Sequence, residues 1–371
     1  MRIGYDAKRF FHNKTGLGNY SRSLVKHLSD AYPENEYYLF NPKPKNKYSL
    51  KNYCPKVKEV LPSNLFFIKF HSLWRLFFIS NDIKKNNIEI YHGLSGELPL
   101  GLNYKKIKKI VTIHDLIFIR YPKLYNFFDR KIYFWKFKYA AKKADLVIAI
   151  SNQTEKDIIK YLKIKPEKIK VIYQGCQDVF KKEYTYDEKK EVAEKHNLPD
   201  KFILNVGTIE DRKNLFTIVK SIKNIDISLV IIGNKTSYYN QIHQYILDNK
   251  LENRIFHLSK LENTELAIIY QLATVFIYPS IFEGFGIPII EALYSKTPVI
   301  TTNSGVFPEA GGENSIYINP TSVSEMQEAI EKLLTNEKLC IEMAEKGYEF
   351  VQKFNDISIA DQLMNCYRGL L

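Results

Sequence analysis

The chain has 371 residues, 45% of them hydrophobic and 26% charged, with a formal net charge of +13. That length suits about two domains of roughly 100–200 residues each, and the ordinary apolar fraction supports a sizeable core in both. Four widely spaced cysteines (Cys54, Cys176, Cys340 and Cys366), without a Cys-x-x-Cys or Cys/His cluster, indicate neither a zinc site nor a disulfide framework and fit a reduced, cytosolic compartment. The charge has two readings. Abundant Lys, Asn and Ile match the codon bias of an AT-rich genome, and a basic surface also attracts an anionic membrane, a nucleic acid or a phosphorylated substrate.

The first residues, Met1 to Asp6, enter a strand directly, with no signal-peptide apolar region. Thr15-Gly16-Leu17-Gly18-Asn19-Tyr20 follows, before a helix over Asn19 to Asp30. Glycines there allow close backbone approach and a helix start favours an anion, although a simple tight turn accounts for them equally. No run reaches the ~20 apolar residues of a membrane span. The nearest, Leu65 to Ile79, is interrupted by Lys69, His71 and Arg75. Leu65 to Lys85 has apolar and basic residues at helical spacing, which fits an ordinary packed helix or one lying at a membrane interface. The strand Ile107 to Ile113 ends in His114-Asp115-Leu116. His114 is placed either as a structural residue or as a donor to a sugar hydroxyl or a developing charge. In the helix Asn126 to Lys143, the aromatic run Tyr133 to Phe137 is expected to face the core. Strands Leu146 to Ile150 and Ile169 to Tyr173 flank the helix Asn152 to Leu162, which Ser151, Asn152 and Glu155 cap.

Asp178 to Asp200 is charged and lacks apolar periodicity, which suggests a boundary: a first domain over 1–178, a linker over 179–200 and a second domain over 201–355. The strand Phe202 to Val206 leads into Gly207-Thr208-Ile209-Glu210-Asp211-Arg212-Lys213-Asn214 and the helix Leu215 to Ile222. Arg212 and Lys213 lie where a helix dipole disfavours cations, a placement tolerated on a solvated surface and compensated by a bound diphosphate. Arg grips two oxygens at once, and Lys supplies a point charge. Strands Ile227 to Ile232, Val275 to Tyr278 and Pro298 to Thr301 alternate with helices Thr264 to Gln271, Pro288 to Lys296 and Val323 to Leu334. This alternation indicates an α/β fold of doubly wound parallel sheets, with ligands at the carboxyl ends of strands.

Glu283-Gly284-Phe285-Gly286-Ile287-Pro288-Ile289-Ile290-Glu291 joins a strand to a helix. Gly284 and Gly286 remove side chains where a ligand approaches, and the helix start offers N–H groups to an anion. Glu283 and Glu291 would repel a phosphate but accept hydrogen bonds from hydroxyls. N–H groups for an anion beside carboxylates for hydroxyls are what a sugar nucleotide requires.

Together these elements resemble the retaining glycosyltransferases of family four (glycosyl transferases group 1), over nearly the whole chain. Gly16 to Tyr20 is similar to the family's glycine loop, His114-Asp115-Leu116 to its His-Asp element, Gly207 to Asn214 to its phosphate loop and Glu283 to Glu291 to its Glu-x7-Glu signature. Asp211 stands where many members have Pro. The resemblance implies a GT-B fold: two Rossmann-like domains facing each other across a cleft, with the last helix, 356–371, returning to the first. It implies that Arg212 and Lys213 neutralise a donor diphosphate, that Glu283 with Gly284 and the amides of Phe285 and Gly286 holds the donor sugar, and that Glu291 accepts from the ribose. Gly207 belongs to the phosphate loop, and backbone near Leu258 to Leu261 meets the nucleobase. Gly16 and Gly18 let the first domain close onto the diphosphate, and His114, with Asp115 beside it, contacts the transferred sugar.

The implied reaction transfers a hexose, mannose first, from a GDP-, UDP- or dTDP-sugar to a glycan or lipid-linked glycan, with retention and without cofactor or metal. His114, Glu283 and Lys213 carry the catalysis. The implied setting is bacterial surface-polysaccharide synthesis, in the cytoplasm or against the anionic inner face of the plasma membrane. No nucleic-acid module is recognisable. A sugar-nucleotide epimerase on a related scaffold and a non-enzymatic polyanion-binding protein are the alternatives.

Overall fold

A computed structural model describes residues 1–44, 50, 54, 56–102 and 106–371, the side chain of residue 65 excepted. The chain forms two compact units, Met1–Gly175 with Phe354–Leu371, and Cys176–Lys353.

In the first unit seven strands form one sheet in the order β3-β2-β1-β4-β5-β6-β7. They are β1 (Arg2–Asp6), β2 (Glu36–Phe40), β3 (Lys58–Val60), β4 (Ile90–Gly93), β5 (Lys108–Ile113), β6 (Leu146–Ala149) and β7 (Ile169–Val171). Every pairing is parallel. The second unit has six strands in the order β10-β9-β8-β11-β12-β13, again all parallel. These are β8 (Phe202–Val206), β9 (Ser228–Ile232), β10 (Ile255–Leu258), β11 (Val275–Tyr278), β12 (Val299–Thr302) and β13 (Ile316–Ile318). Sheets covered on both faces call for strands buried on both sides, and β11 and β12 are buried at every position. Strand order reverses between β1 and β4 and between β8 and β11. At such points the loops leaving the carboxyl ends diverge and open a crevice for ligands.

Two apolar cores lie in the first unit. One gathers Trp74, Ile79, Ile83, Phe118, Ala140 and Ala141. The other packs the helix Asp356–Leu370, through Ile359, Leu363, Met364 and Tyr367, with Leu24, Val25 and Leu28 of the helix Gly16–Ala31. The last helix thus completes the unit that the first strand begins. Between Asp178 and Asp200 the chain forms a 3-10 turn, Asp178–Lys181, and a helix, Tyr186–Lys195, with a Thr185/Glu188 capping box. Both belong to the second unit.

Two sequence expectations are corrected. A short helix, Lys8–His12, follows β1, and the long helix after it begins at Gly16, so the glycines lie in its first turn and not in a loop before it. The region 65–85 is not one regular helix. It divides into Leu65–Lys69, His71–Leu73, a π-helical turn Trp74–Phe78 and Ile79–Lys85, with Phe66, Phe70, Leu73 and Phe77 exposed. Among the described residues no helix is long and apolar enough to cross a membrane. Leu363, 1% exposed, should anchor the last helix. Leu363→Ala is expected to cost about 2–5 kcal/mol in denaturant melts, and a loss under about 0.5 kcal/mol would show that the helix is not part of this core.

Candidate active site

The second unit assembles the larger cluster at the reversal between β8 and β11. The parallel order sets these strands side by side, with Ile203 opposite Val275. The loop leaving β8 starts at Gly207, whose φ of +145° disfavours any L side chain, and whose N–H donates to Ile232 O at 2.9 Å. A 3-10 turn, Asp211–Lys213, follows, so the turn forms with Asp211 in place. Ile281 N donates to Arg212 O at 2.9 Å, and an Arg212 Nη1–H donates to Phe282 O. The loop after β8 is thereby fastened to the loop after β11.

Both cations of the turn point at Glu283. Its Oε1 lies 2.6 Å from Lys213 Nζ and 2.7 Å from Arg212 Nη1, and it accepts from Tyr278 O–H at 3.1 Å. Lys213 also donates to the Tyr278 hydroxyl oxygen, while Arg212 Nη2 pairs with Glu210 at 2.6 Å. The three charged side chains are only 13–16% exposed. Burial works to raise the Glu283 carboxyl, but Lys213 and Arg212 outweigh it and hold the group below the usual carboxylate range. The same pairing overcomes burial at the cations and raises both.

Gly286 caps the helix Ile287–Tyr294 in the left-handed region, φ +107°, where only glycine sits without strain. Pro288 occupies its first turn, Phe285 is buried and Gly284 half-buried. Glu291 lies in the same helix, on a different footing from Glu283. Its one strong partner is Tyr270, which donates to Oε2 at 3.1 Å. Burial pushes its carboxyl up to about 7, against the pull of that hydrogen bond. Leu258 closes β10, and its carbonyl accepts from Gly233 N at 3.2 Å. Leu261, half-buried, lies in the turn before the helix Asn263–Leu272.

In the first unit the glycine-rich turn and the His-Asp element meet. The Tyr20 ring stands edge-on to His114, with centroids 4.7 Å apart. His114 Nε2 faces Leu94 O at 2.9 Å, an acceptor only, which assigns it the proton. Nδ1 then accepts from Gln174 Nε2 at 3.1 Å. Burial lowers the ring to about 4, so it is neutral at pH 7. The donor role expected of His114 meets an obstacle here, because its one N–H already serves Leu94. Asp115 Oδ1 accepts from Ile117 N at 3.0 Å, closing the turn Ile117–Arg120. A Cβ on Gly18 would lie 2.0 Å from Asn13 O, so this glycine serves packing within the unit. Around Gly16 there is open space for a Cβ.

Sequence reasoning missed Tyr278, Tyr270, Tyr20 and Gln174 as partners of the charged groups. Tyr20 was within the glycine motif, but the other three read as core or strand-end residues.

Residues 14–178 match the family described as "Glycosyltransferase Family 4", and residues 187–350 match "Glycosyl transferases group 1". The chain belongs to the family 4 (group 1) glycosyltransferases. It is 32% identical over 254 residues to the O-antigen chain mannosyltransferase RfbU of Salmonella typhimurium, covering 68% of this chain and 66% of that protein. The O-antigen chain mannosyltransferase B of Escherichia coli is 24% identical over 390 residues, covering 100% of both chains. The serotype-specific mannosyltransferase WbdA of Escherichia coli is 25% identical over 76% of this chain, which spans only 36% of WbdA. Among solved structures, a glycosyltransferase from Rickettsia africae superposes with a TM-score of 0.76 at 18% identity, over 99% of this chain and 98% of that one. Anabaena HepE in complex with UDP-glucose gives 0.78 at 15% identity over 100% of both. These similarities establish the GT-B class of fold, two parallel-sheet α/β units.

Two stability measurements probe the cluster. Glu283→Gln strands two buried cations and is expected to cost about 3–5 kcal/mol at pH 7 in denaturant melts. A cost under 1 kcal/mol would mean that the cations are effectively solvated. Glu291 has the opposite sign. Its raised folded-state pKa adds stability below the unfolded value, near 4.5, and that stability is lost as pH rises through about 7. Between pH 4 and 8 wild type should therefore lose about 1–3 kcal/mol relative to Glu291→Gln, and parallel pH curves would contradict the buried, protonated carboxyl.

Proposed function

We propose that this chain transfers mannose from a nucleoside diphosphate sugar, GDP-mannose ahead of UDP- and dTDP-sugars, to a glycan or lipid-linked glycan of a surface polysaccharide. The reaction retains anomeric configuration and needs neither metal nor cofactor. The observation that carries this reading is the Glu283–Lys213–Arg212 cluster at the strand reversal of the second unit. The choice of mannose is supported by the printed activities of the relatives RfbU and mannosyltransferase B. Cys54 and Cys176, buried and outside any disulfide, fit a cytoplasmic setting.

In this reading Lys213 and Arg212 grip the diphosphate and stabilise the charge it develops as it leaves, the task a metal performs elsewhere. Glu283, on Oε2, and the amides of Phe285 and Gly286 take the sugar hydroxyls, with Gly284 clearing their approach. Glu291 takes the ribose hydroxyls, Gly207 admits the phosphates, and backbone at Leu258 and Leu261 meets the base. The first unit serves the acceptor side. There Gly16 leaves room for a phosphate, and neutral His114, next to Asp115, borders the transferred sugar.

Retention by double displacement needs a free nucleophile. Glu283 is a poor one, because three donors converge on one of its oxygens and its basicity is lowered. The acceptor hydroxyl therefore attacks C1 on the face that the phosphate leaves. The C1–O bond to phosphate breaks, the new C1–O bond forms, and the departing phosphate accepts the hydroxyl proton.

Ionised Glu291 accepts two hydrogen bonds from a ribose and a protonated one donates instead, so donor affinity should rise with pH through about 7. Titration calorimetry with GDP-mannose between pH 6 and 8 reads this, and Glu291→Gln should flatten the profile. A pH-independent affinity in wild type would remove Glu291 from the ribose. In a transfer assay Lys213→Met is expected to lower kcat/KM about 100-fold or more. NMR of the product should show the donor's anomeric configuration. An inverted product would defeat retention, and a trapped glycosyl-Glu283 would defeat same-face attack.

A further inference from the structure

A network of buried hydrogen bonds crosses the first unit from its last helix, Asp356–Leu370, to His114. The hydroxyl of Tyr367, a fully buried residue of that helix, lies 2.7 Å from His92 Nδ1 and 3.5 Å from the Tyr5 hydroxyl. His92 Nε2 lies 2.8 Å from Thr112 Oγ1, which in turn lies 3.3 Å from the Tyr20 hydroxyl. The Tyr20 ring then meets His114 edge-on. Three neighbouring strands supply the middle of the network: Tyr5 on β1 opposite His92 on β4, and Thr112 on β5. Thr112 stands two residues before His114, and the period of a strand sends both side chains to one face of the sheet.

Both ring nitrogens of His92 have a hydroxyl partner. Burial, with His114 nearby, lowers the ring to about 3, so at pH 7 it carries a single proton. That proton serves one hydroxyl, and the bare nitrogen accepts from the other. The ring is therefore pinned at both nitrogens in either tautomer. Docking of the last helix does not call for such a network. Ile359, Leu363 and Met364 already pack that helix into an apolar core, where polar groups cost stability unless each is bonded. What the network adds is a fixed path from the last helix to Tyr20 and, through that ring, to His114.

We infer that Tyr367, His92 and Thr112 are positioning residues for sugar transfer: they hold the Tyr20 ring, and Tyr20 holds the ring of His114. The inference rests on the proposed reaction, in which neutral His114 borders the transferred sugar. Leu94 O and Gln174 Nε2 bond the two nitrogens of His114. Bonds at the nitrogens leave a ring free to rock about the line that joins them, and a second ring packed against it opposes that rocking. Anchored at its hydroxyl by Thr112, Tyr20 cannot turn away. A reacting geometry tolerates little displacement, so a support of this kind acts on turnover without touching the substrate.

The test joins nitrogen NMR of the full chain, labelled at histidine, to GDP release from GDP-mannose with water as the acceptor. Tyr367→Phe leaves His92 Nδ1 without a partner, so the proton should sit on Nε2 and serve Thr112. Thr112→Val leaves Nε2 without one, so the proton should sit on Nδ1 and serve Tyr367. The two variants are thus expected to show opposite His92 tautomers, with the His114 signals moved in both. Each should lower kcat for GDP release about three- to tenfold, the worth of one hydrogen bond, with GDP affinity in calorimetry unchanged. Thr112→Ser keeps the hydroxyl and should restore both kcat and the wild-type His114 signals. One tautomer in both variants, His114 signals unmoved, or a kcat in Thr112→Val equal to that of wild type would each overturn the inference. Should Thr112→Val not fold, Tyr367→Phe decides alone, and a His92 proton on Nδ1 there would overturn it. Wild type that binds GDP-mannose and releases no GDP would count against the proposed reaction, and the tautomers and His114 signals would still judge the network.

Discussion

One buried carboxylate between two cations organises the second unit. Lys213 and Arg212 could not be held at 13–16% exposure without a counter-charge, because stripping water from ions costs several kcal/mol each. Glu283 supplies it, and in doing so ties the loop after β8 to the loop after β11. The sheet makes this possible, since only the strand reversal brings those two carboxyl ends together. In the proposed reaction a diphosphate would offer the cations a second set of oxygens. It would compete with Glu283 for the same N–H groups and leave that carboxylate to turn toward hydroxyls. Glu283 therefore occupies the place that the proposed substrate's charge would take.

The two glutamates of one nine-residue motif show how environment divides a pair of identical groups. Glu283 is held ionised by its cations, and Glu291, eight residues on, is buried beside a tyrosine hydroxyl and raised by that burial to about 7. The first is suited to a permanent charge between two cations and the second to a hydrogen-bonding role that titrates near neutrality. Neither behaviour follows from the spacing alone.

Much of this was legible in the sequence, for physical reasons. Buried parallel strands read as apolar runs, so β5, β6, β8, β9, β11 and β12 were visible, and the loops leaving β8 and β11 carried Arg212, Lys213, Glu283 and Glu291 in recognisable order. Short or mixed strands were not visible. Lys58–Val60 holds two charged residues in three, and Ile90–Gly93 includes a histidine and a glycine. The partners of charged groups were hidden as well. Tyr278 looks like the last residue of a core strand, and Gln174 reaches His114 across 60 residues with no local pattern. On the helix Phe127–Lys143 the exposure of Phe128, Ile132 and Trp135 was masked, because Phe134, Phe137, Ala140 and Ala141 put apolar residues on the core face as well.

The claim that Lys213 and Arg212 hold a diphosphate is tested most directly by titrating wild type and Lys213→Met with GDP and with GMP at fixed salt. Wild type should bind GDP tighter than GMP by about 1.5–3 kcal/mol, the worth of a charge-assisted bond to the second phosphate. In Lys213→Met that gap should shrink by most of its size, while the affinity for GMP changes little. A gap that survives the substitution intact would place the second phosphate elsewhere and contradict the account.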